Sequence, residues 1–107
     1  MPINMTGIKT VVCIEDELEM VELIKLILGR RGIELAGAPG GGEGVETIRR
    51  LKPDLVLLDT RTPGAWDVYF AMKADDELKH IPIQMITARA RGMSPHSWTW
   101  RTRLGIT

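Results

Sequence analysis

The sequence has a single cysteine, Cys13, and the residues around it are apolar. An intrachain disulfide is therefore excluded, and we expect a buried structural thiol rather than a reactive one. No apolar run approaches the length of a membrane span, and residues 1–10 lack the apolar core of a signal peptide. Taken together, these absences predict a cytoplasmic protein.

Acidic residues are missing from the last part of the chain. Residues 1–79 contain all 14 Asp and Glu residues and ten of the 14 Lys and Arg residues, whereas residues 80–107 contain four arginines and no acid. Lysine is also absent after Lys79. The overall composition, 44% apolar and 26% charged, is that of an ordinary globular chain, so we expect a single domain covering residues 1–107.

Short apolar runs alternate with segments of helical periodicity along the body of the chain. Apolar runs bounded by turn residues predict buried strands, and apolar residues three or four positions apart predict helices. We predict four strands and three helices, in the order strand 9–14, helix 17–31, strand 33–38, helix 41–51, strand 54–58, helix 66–74 and strand 81–86. This alternation favours right-handed βαβ units and a parallel sheet. The predicted fold class is α/β, a flavodoxin-like doubly wound domain with three α/β/α layers and strand order 2-1-3-4.

Polar residues follow the predicted strands at the points where those strands leave the sheet. Glu15 and Asp16 follow the first strand, Asp59 follows the third in the stretch DLVLLDTRTPG, and Thr87 follows the fourth. Because the carboxyl ends of parallel strands meet at one edge, we expect these side chains to lie close together. Carboxylates crowded at one point repel one another unless a cation joins them, and hard oxygen ligands suit Mg²⁺.

Each of these residues also has a purely structural interpretation. An Asx turn would account for Asp59. The preference of helix N-termini for acidic residues would account for Glu15 and Asp16, and helix capping would account for Thr87. The joint presence of all four residues favours a site. A nearby aromatic residue, Trp66, is interpreted as a packing residue at the start of a helix.

Four motifs make the chain resemble the receiver domain of two-component response regulators. They are VVCIEDE (11–17), KPDLVLLD (52–59), TPG (62–64) and IPIQMITARA (81–90). Their order and spacing match the family over residues 1–90. The resemblance implies a phosphoacceptor that takes a phosphoryl group from a sensor histidine kinase in an Mg²⁺-dependent reaction. It also implies that such a domain, which is not a classical enzyme, assists its own phosphorylation and dephosphorylation.

The resemblance also assigns a role to each site residue. Asp59 would accept the phosphoryl group, and Asp16 would bind Mg²⁺ directly. Glu15 would act through water or as a further ligand, and the backbone carbonyl of Arg61 would complete the protein ligands. Thr87 would hydrogen-bond a phosphoryl oxygen and switch the loop behind it.

The implied partners are a sensor histidine kinase and a downstream protein whose interactions change on phosphorylation. We expect neither a membrane nor nucleic acid as a partner of this domain. The alternative function is a degenerate or truncated receiver that binds a partner without phosphoryl chemistry. This alternative arises because the family carries a lysine at the end of its fifth strand, whereas no lysine follows Lys79 here.

Residues 91–107 form a divergent tail in which the family's fifth strand and fifth helix are not recognisable. The sequence leaves three interpretations open: a truncated and diverged receiver, an adaptation to a new partner surface, or a shifted reading frame. Without a fifth helix, we expect the strands at 11–14 and 55–58 to be covered on one face only. Exposed apolar strands are usually buried by association. We therefore expect a homodimer with the tail at or near its interface.

Overall fold

Four parallel strands and three helices make up the part of the chain that the computed structural model describes, residues 5–86. In chain order they are β1 (Thr10–Ile14), α1 (Leu18–Gly29), β2 (Glu34–Ala38), α2 (Gly41–Leu51), β3 (Leu55–Asp59), α3 (Ala65–Ala74) and β4 (Ile83–Ile86). Helix α2 has its predicted bounds, and every other element begins and ends within two residues of its predicted bounds. Across residues 5–86, no helix combines the length and the apolar character that crossing a bilayer requires.

The strands form one parallel sheet in the order β2-β1-β3-β4, which confirms the predicted order. Strand β1 lies between β2 and β3, and Ile14 at its carboxyl end is level with Ala38 of β2 and Leu58 of β3. The next residues along these two central strands are Glu15 and Asp59. The register therefore brings both carboxyl groups to the same edge of the sheet.

Alternating side chains of the central strand build two apolar cores, one on each face of the sheet. Val11 and Cys13 belong to the core that α1 covers, whereas Val12 and Ile14 belong to the core that α2 and α3 cover. The α1 residues buried in the first core are Met20, Val21, Ile24, Ile27 and Leu28. Burying one such side chain contributes roughly 1.5–3 kcal/mol, so the two cores fix how the helices sit on the sheet.

The cysteine lies within the first of these cores, as predicted. Cys13 is a buried free thiol. Burial raises the pKa of its thiol, and the nearby carboxyl groups of Glu15 and Asp59 raise it further. The thiolate, which is the reactive form, is therefore suppressed.

Strands β1 and β3 are buried on both faces, so the expectation that they are covered on one face only is wrong. All apolar residues from Val11 to Ile14 and from Leu55 to Leu58 are buried. Part of the physical reason is local: Met5 and Ile8, which precede β1, pack against the same core as α1. Strand β4 is the outer strand within residues 5–86, and only Ile86 of its four residues is buried. The fifth strand and fifth helix of the family, and the tail, lie outside the described residues.

Candidate functional site

The two central strands each deliver one buried carboxyl group to the carboxyl edge of the sheet. Asp59 is fully buried, and Glu15 is 3% exposed. Asp59 is the last residue of β3 and is level with Ile86 of β4, so the strand continues one residue further than predicted. Burying a carboxyl group costs free energy unless the group is hydrogen-bonded or neutralised. Ionisable groups buried at such a cost are common in functional sites.

The backbone after β3 folds around the Asp59 side chain. The backbone N–H of Arg61 donates to Asp59 Oδ1 over 2.9 Å, and the N–H of Thr62 donates to the Asp59 carbonyl oxygen over 3.0 Å. The first of these bonds closes an Asx turn. The interpretation of Asp59 as an Asx-turn residue therefore holds for its Oδ1 atom. This turn also fixes the direction in which the carboxyl group points.

Glu15 is held by the start of the next helix and by the same turn. Its Oε2 accepts the backbone N–H of Glu17 over 3.1 Å and the hydroxyl of Thr62 over 3.5 Å. The carboxyl groups of Asp59 and Asp16 lie close enough to Glu15 to raise its pKa. The site therefore links three carboxyl groups from the ends of two strands.

Burial and the hydrogen bond with Asp59 raise the pKa of Glu15 to about 8, although the N–H of Glu17 acts in the opposite direction. Glu15 consequently holds a proton at neutral pH in the absence of a cation. That proton relieves the repulsion expected where carboxylates meet.

Asp16 lies at the open side of this group. Its side chain is exposed, and together with Glu15 it lines a cleft of about 400 Å³ between α1 and β2. The other residues of this cleft are Leu18, Val21, Glu22, Lys25, Gly37, Ala38 and Pro39. Solvent and small ligands thus reach the carboxyl group of Asp16 most easily.

The chemistry of these donors fits a hard cation. Glu15, Asp16 and Asp59 offer only oxygen ligands, as Mg²⁺ prefers, and a cation would relieve the crowding that the Glu15 proton now relieves. Within residues 5–86, however, no three Asp, Glu, His or Cys side chains already converge at metal-ligand spacing.

The sequence predicted Glu15, Asp16 and Asp59 as neighbours, and the structure brings all three together. Arg61 lies in the turn after β3, where its backbone N–H is bonded to Asp59. Thr87 lies outside the described residues.

Thr62 was missed by the sequence reasoning. It is buried and donates to Glu15. The only signal for it was its place in the TPG motif, three residues after Asp59.

The raised pKa of Glu15 predicts how stability depends on pH. Between its ordinary value of 4.5 and about 8, the carboxyl group is protonated in the folded chain and ionised in the unfolded chain. Folding then takes up a proton, so the free energy of unfolding falls as the pH rises across this window, by up to about 1.4 kcal/mol per pH unit. The Glu15→Gln variant should lack this slope, and its stability relative to the wild type should increase with pH.

Urea denaturation between pH 5 and pH 8, without divalent cations, measures this effect. The matched control is Glu22→Gln, because Glu22 is exposed on α1, and its difference from the wild type should be the same at each pH. Parallel stability curves for the wild type and Glu15→Gln would show that Glu15 does not carry the proton.

Fold and site together define a flavodoxin-like α/β protein whose central strands end in linked acidic residues. A family model described as the response regulator receiver domain matches residues 11–96. The chain belongs to this family, and as a receiver domain of a response regulator it is consistent with two-component signalling.

Named relatives and a solved structure agree with this assignment. The chain is 33% identical over 84 residues to the polar-differentiation response regulator DivK of Brucella anthropi, covering 77% of this chain and 68% of that protein. It is 32% identical over 81 residues to the DNA-binding response regulator MtrA of Mycolicibacterium paratuberculosis, covering 74% of this chain but 35% of that protein. The N-terminal domain of a response regulator receiver protein from Methanoculleus marisnigri superposes with a TM-score of 0.69 at 28% identity, covering 90% of this chain and 76% of that one.

Proposed function

We propose that this chain is a phosphoacceptor receiver of a two-component phosphorelay, in which Asp59 takes a phosphoryl group from a sensor histidine kinase with the help of Mg²⁺. The observation that supports it best is the buried Asp59 carboxyl group, linked to Glu15 at the carboxyl edge of the sheet. A buried strand-end carboxyl group held by a turn and flanked by acids is poorly explained by stability alone.

Asp59 acts as the nucleophile in this proposal. A carboxylate oxygen attacks phosphorus and forms a new O–P bond, while the bond from phosphorus to the donor breaks and its electron pair leaves with the donor. Such transfers depend mainly on positioning and charge stabilisation. The Arg61 N–H donates to Asp59 Oδ1 over 2.9 Å and so restricts the orientation of the carboxyl group. Less conformational entropy of the Asp59 side chain is then lost when the reacting groups align.

The neighbouring residues would hold the cation. Asp16 would bind Mg²⁺ directly, Glu15 would serve directly or through water, and the Arg61 carbonyl oxygen would complete the protein ligands together with Asp59. When bound, Mg²⁺ neutralises the negative charge that the nucleophile and the phosphoryl oxygens bring together.

Thr87 is proposed to convert the new charge into a conformational change. Its hydroxyl hydrogen-bonds a phosphoryl oxygen, which alters the loop behind it and the surface offered to a downstream protein. We further propose that residues 1–107 act as one cytoplasmic receiver domain without a direct membrane or nucleic-acid contact.

The proposal is tested by measuring the mass of the intact chain after incubation with a small phosphodonor. A gain equal to one phosphoryl group is expected with Mg²⁺ and not with a chelator. An unchanged mass under both conditions would reject phosphoryl transfer from small donors and would favour a receiver that acts by binding alone. The absence of lysine after Lys79 is the feature that supports this second function.

Replacing Asp16 is expected to weaken Mg²⁺ binding far more than replacing Glu17. Asp16 is exposed beside the cleft, whereas Glu17 is the residue before α1 and donates its backbone N–H to Glu15. An alanine at position 17 keeps that N–H. Removing one carboxylate from a site with few protein ligands should reduce the Mg²⁺ affinity at least about tenfold, or about 1.4 kcal/mol.

Isothermal titration calorimetry with Mg²⁺ compares Asp16→Ala, Glu17→Ala and the wild type. Glu17→Ala should bind within about twofold of the wild type, a difference below about 0.5 kcal/mol. Equal losses in the two variants would mean that Asp16 is not a specific ligand.

A further inference from the structure

Helix α3 carries a cluster of three aromatic side chains, two exposed and one half-buried, that the acidic site does not use. Trp66, Tyr69 and Phe70 are the three aromatic residues within residues 5–86, and we call them the aromatic patch. Trp66 is 46% exposed and Phe70 is 63% exposed. The ring centres of Trp66 and Tyr69 are 5.5 Å apart, and those of Tyr69 and Phe70 are 5.2 Å apart.

The two exposed rings of the aromatic patch, Trp66 and Phe70, do not hold the helix on the sheet. Ala65, Val68 and Met72 of α3 are buried against the sheet. The rings of Trp66 and Phe70 are exposed, and Tyr69 is half-buried and packs against the edge of the same core. Trp66 is a packing residue at the start of the helix, as expected, but the rings it packs on are those of Tyr69 and Phe70 rather than the core under the sheet. Contiguous exposed apolar groups of this kind mark interaction surfaces, and Trp and Tyr are enriched among residues that dominate binding energy.

The order of side chains along the patch is self-complementary. Lys73 follows the rings, and its Nζ lies 5.7 Å from the centre of the Tyr69 ring. Trp66 and Lys73 are seven residues apart, about two helical turns, so they lie on one stripe of α3. The midpoint between them falls between Tyr69 and Phe70.

This order identifies a second copy of the chain as the occupant. A two-fold axis at that midpoint brings an antiparallel α3 against the first, with each Lys73 opposite the Trp66 of the other copy. Among the aromatic side chains, the indole ring of Trp is the best partner for a cation such as the Lys ammonium group. Tyr69 and Phe70 then meet their own symmetry mates in the centre, as an isologous interface requires. We propose that the aromatic patch, with Lys73 at its end, is the interface of a homodimer in which two α3 helices pack antiparallel.

The expected dimer is weak. Burying an aromatic side chain removes roughly 150–250 Å² of its surface from water. Because each subunit contributes only three rings that are already partly covered, the interface should be a small one, with less than about 1,200 Å² buried in total. The association should therefore depend on concentration between about 10 μM and about 1 mM. This interface differs from one built by the tail, because it uses only described residues of α3.

Analytical ultracentrifugation of the full chain across this concentration range tests the proposal. The wild type should rise toward twice the monomer mass, whereas Phe70→Glu should remain monomeric because it sets two carboxylates against each other at the two-fold axis. The matched control is Leu26→Glu, since Leu26 is 57% exposed on α1, and it should dimerise as the wild type does. A wild type that stays monomeric up to about 1 mM would overturn the proposal, as would a dimer that Phe70→Glu leaves intact.

A cross-linking experiment keeps the proposal testable if Phe70→Glu folds poorly. Oxidised Phe70→Cys should form a disulfide-linked dimer that a reducing agent separates, whereas Leu26→Cys should not. The native thiol does not interfere because Cys13 is buried. Equal cross-linking at both positions would indicate random collision and would reject the interface.

Discussion

The Asp59→Asn variant is expected to take up no phosphoryl group from a small phosphodonor, whereas the wild type gains one in the presence of Mg²⁺. An amide oxygen is a poor nucleophile and carries no charge, so the attacking group and one Mg²⁺ ligand are lost together. The change is conservative in shape, because an amide oxygen can still accept the Arg61 N–H that now binds Asp59 Oδ1. Intact-mass measurement followed by peptide mapping detects both the uptake and its position.

The matched control for this variant is Asp67→Asn. Asp67 is an exposed aspartate in the first turn of α3, and its variant should be labelled as the wild type is. Labelling of Asp59→Asn to the wild-type level would show that Asp59 is not the phosphoacceptor. Circular dichroism should show that both variants fold.

The stability of Asp59→Asn without Mg²⁺ separates a functional carboxyl group from a structural one. Removing one of the acids crowded around Glu15 should raise the free energy of unfolding. A clear loss of stability would instead argue that the Asx turn is the main role of Asp59.

The Gly40→Ala variant is expected to lose about 3 kcal/mol of stability, at the upper end of the usual cost of overpacking. Gly40 has an ordinary backbone conformation, with φ at −74°, so the cost is one of space. An added Cβ would lie 2.6 Å from the carbonyl carbon of Gly64 and would also collide with the carbonyl oxygen of Pro63. Both obstacles are backbone atoms, which cannot move aside as a flexible side chain can.

This close approach ties the start of α2 to the loop that follows Asp59. The N–H of Gly41 donates to the carbonyl oxygen of Gly64 over 3.0 Å. The same loop contains Thr62, which contacts Glu15, so moving it should also disturb the acidic site.

Urea denaturation of Gly40→Ala and Gly42→Ala makes the comparison. An added Cβ at Gly42 meets nothing within 4 Å, and alanine is favoured over glycine inside a helix by about 1 kcal/mol. Gly42→Ala should therefore be as stable as the wild type or more so. Equal stability of the two variants would mean that the backbone at Pro63 and Gly64 can move to accommodate the added Cβ at little cost in free energy.

The sequence alone determined the element order and the edge of the sheet at which the acids meet. Apolar runs of strand length alternate with helical periodicity, and this local signal places every element within two residues of its observed bounds. Glu15 and Asp16 follow β1, and Asp59 is the last residue of β3. The geometry of a parallel sheet brings the ends of such neighbouring strands together. Their convergence was therefore predictable from their positions in the chain.

The tertiary structure alone decided the state of those acids and the surfaces around them. Thr62 and Glu15 are 47 positions apart, and the proton on Glu15 depends on burial that no local pattern reports. The exposure of Trp66 could likewise not be predicted from the sequence. Helical spacing shows which residues share a face of the helix, but not whether another part of the chain covers that face. The contact between Gly40 and Gly64 depends on how two loops approach each other across the edge of the sheet. Each of these features depends on the distance between segments that are remote in sequence, and periodicity carries information only about neighbours along the chain.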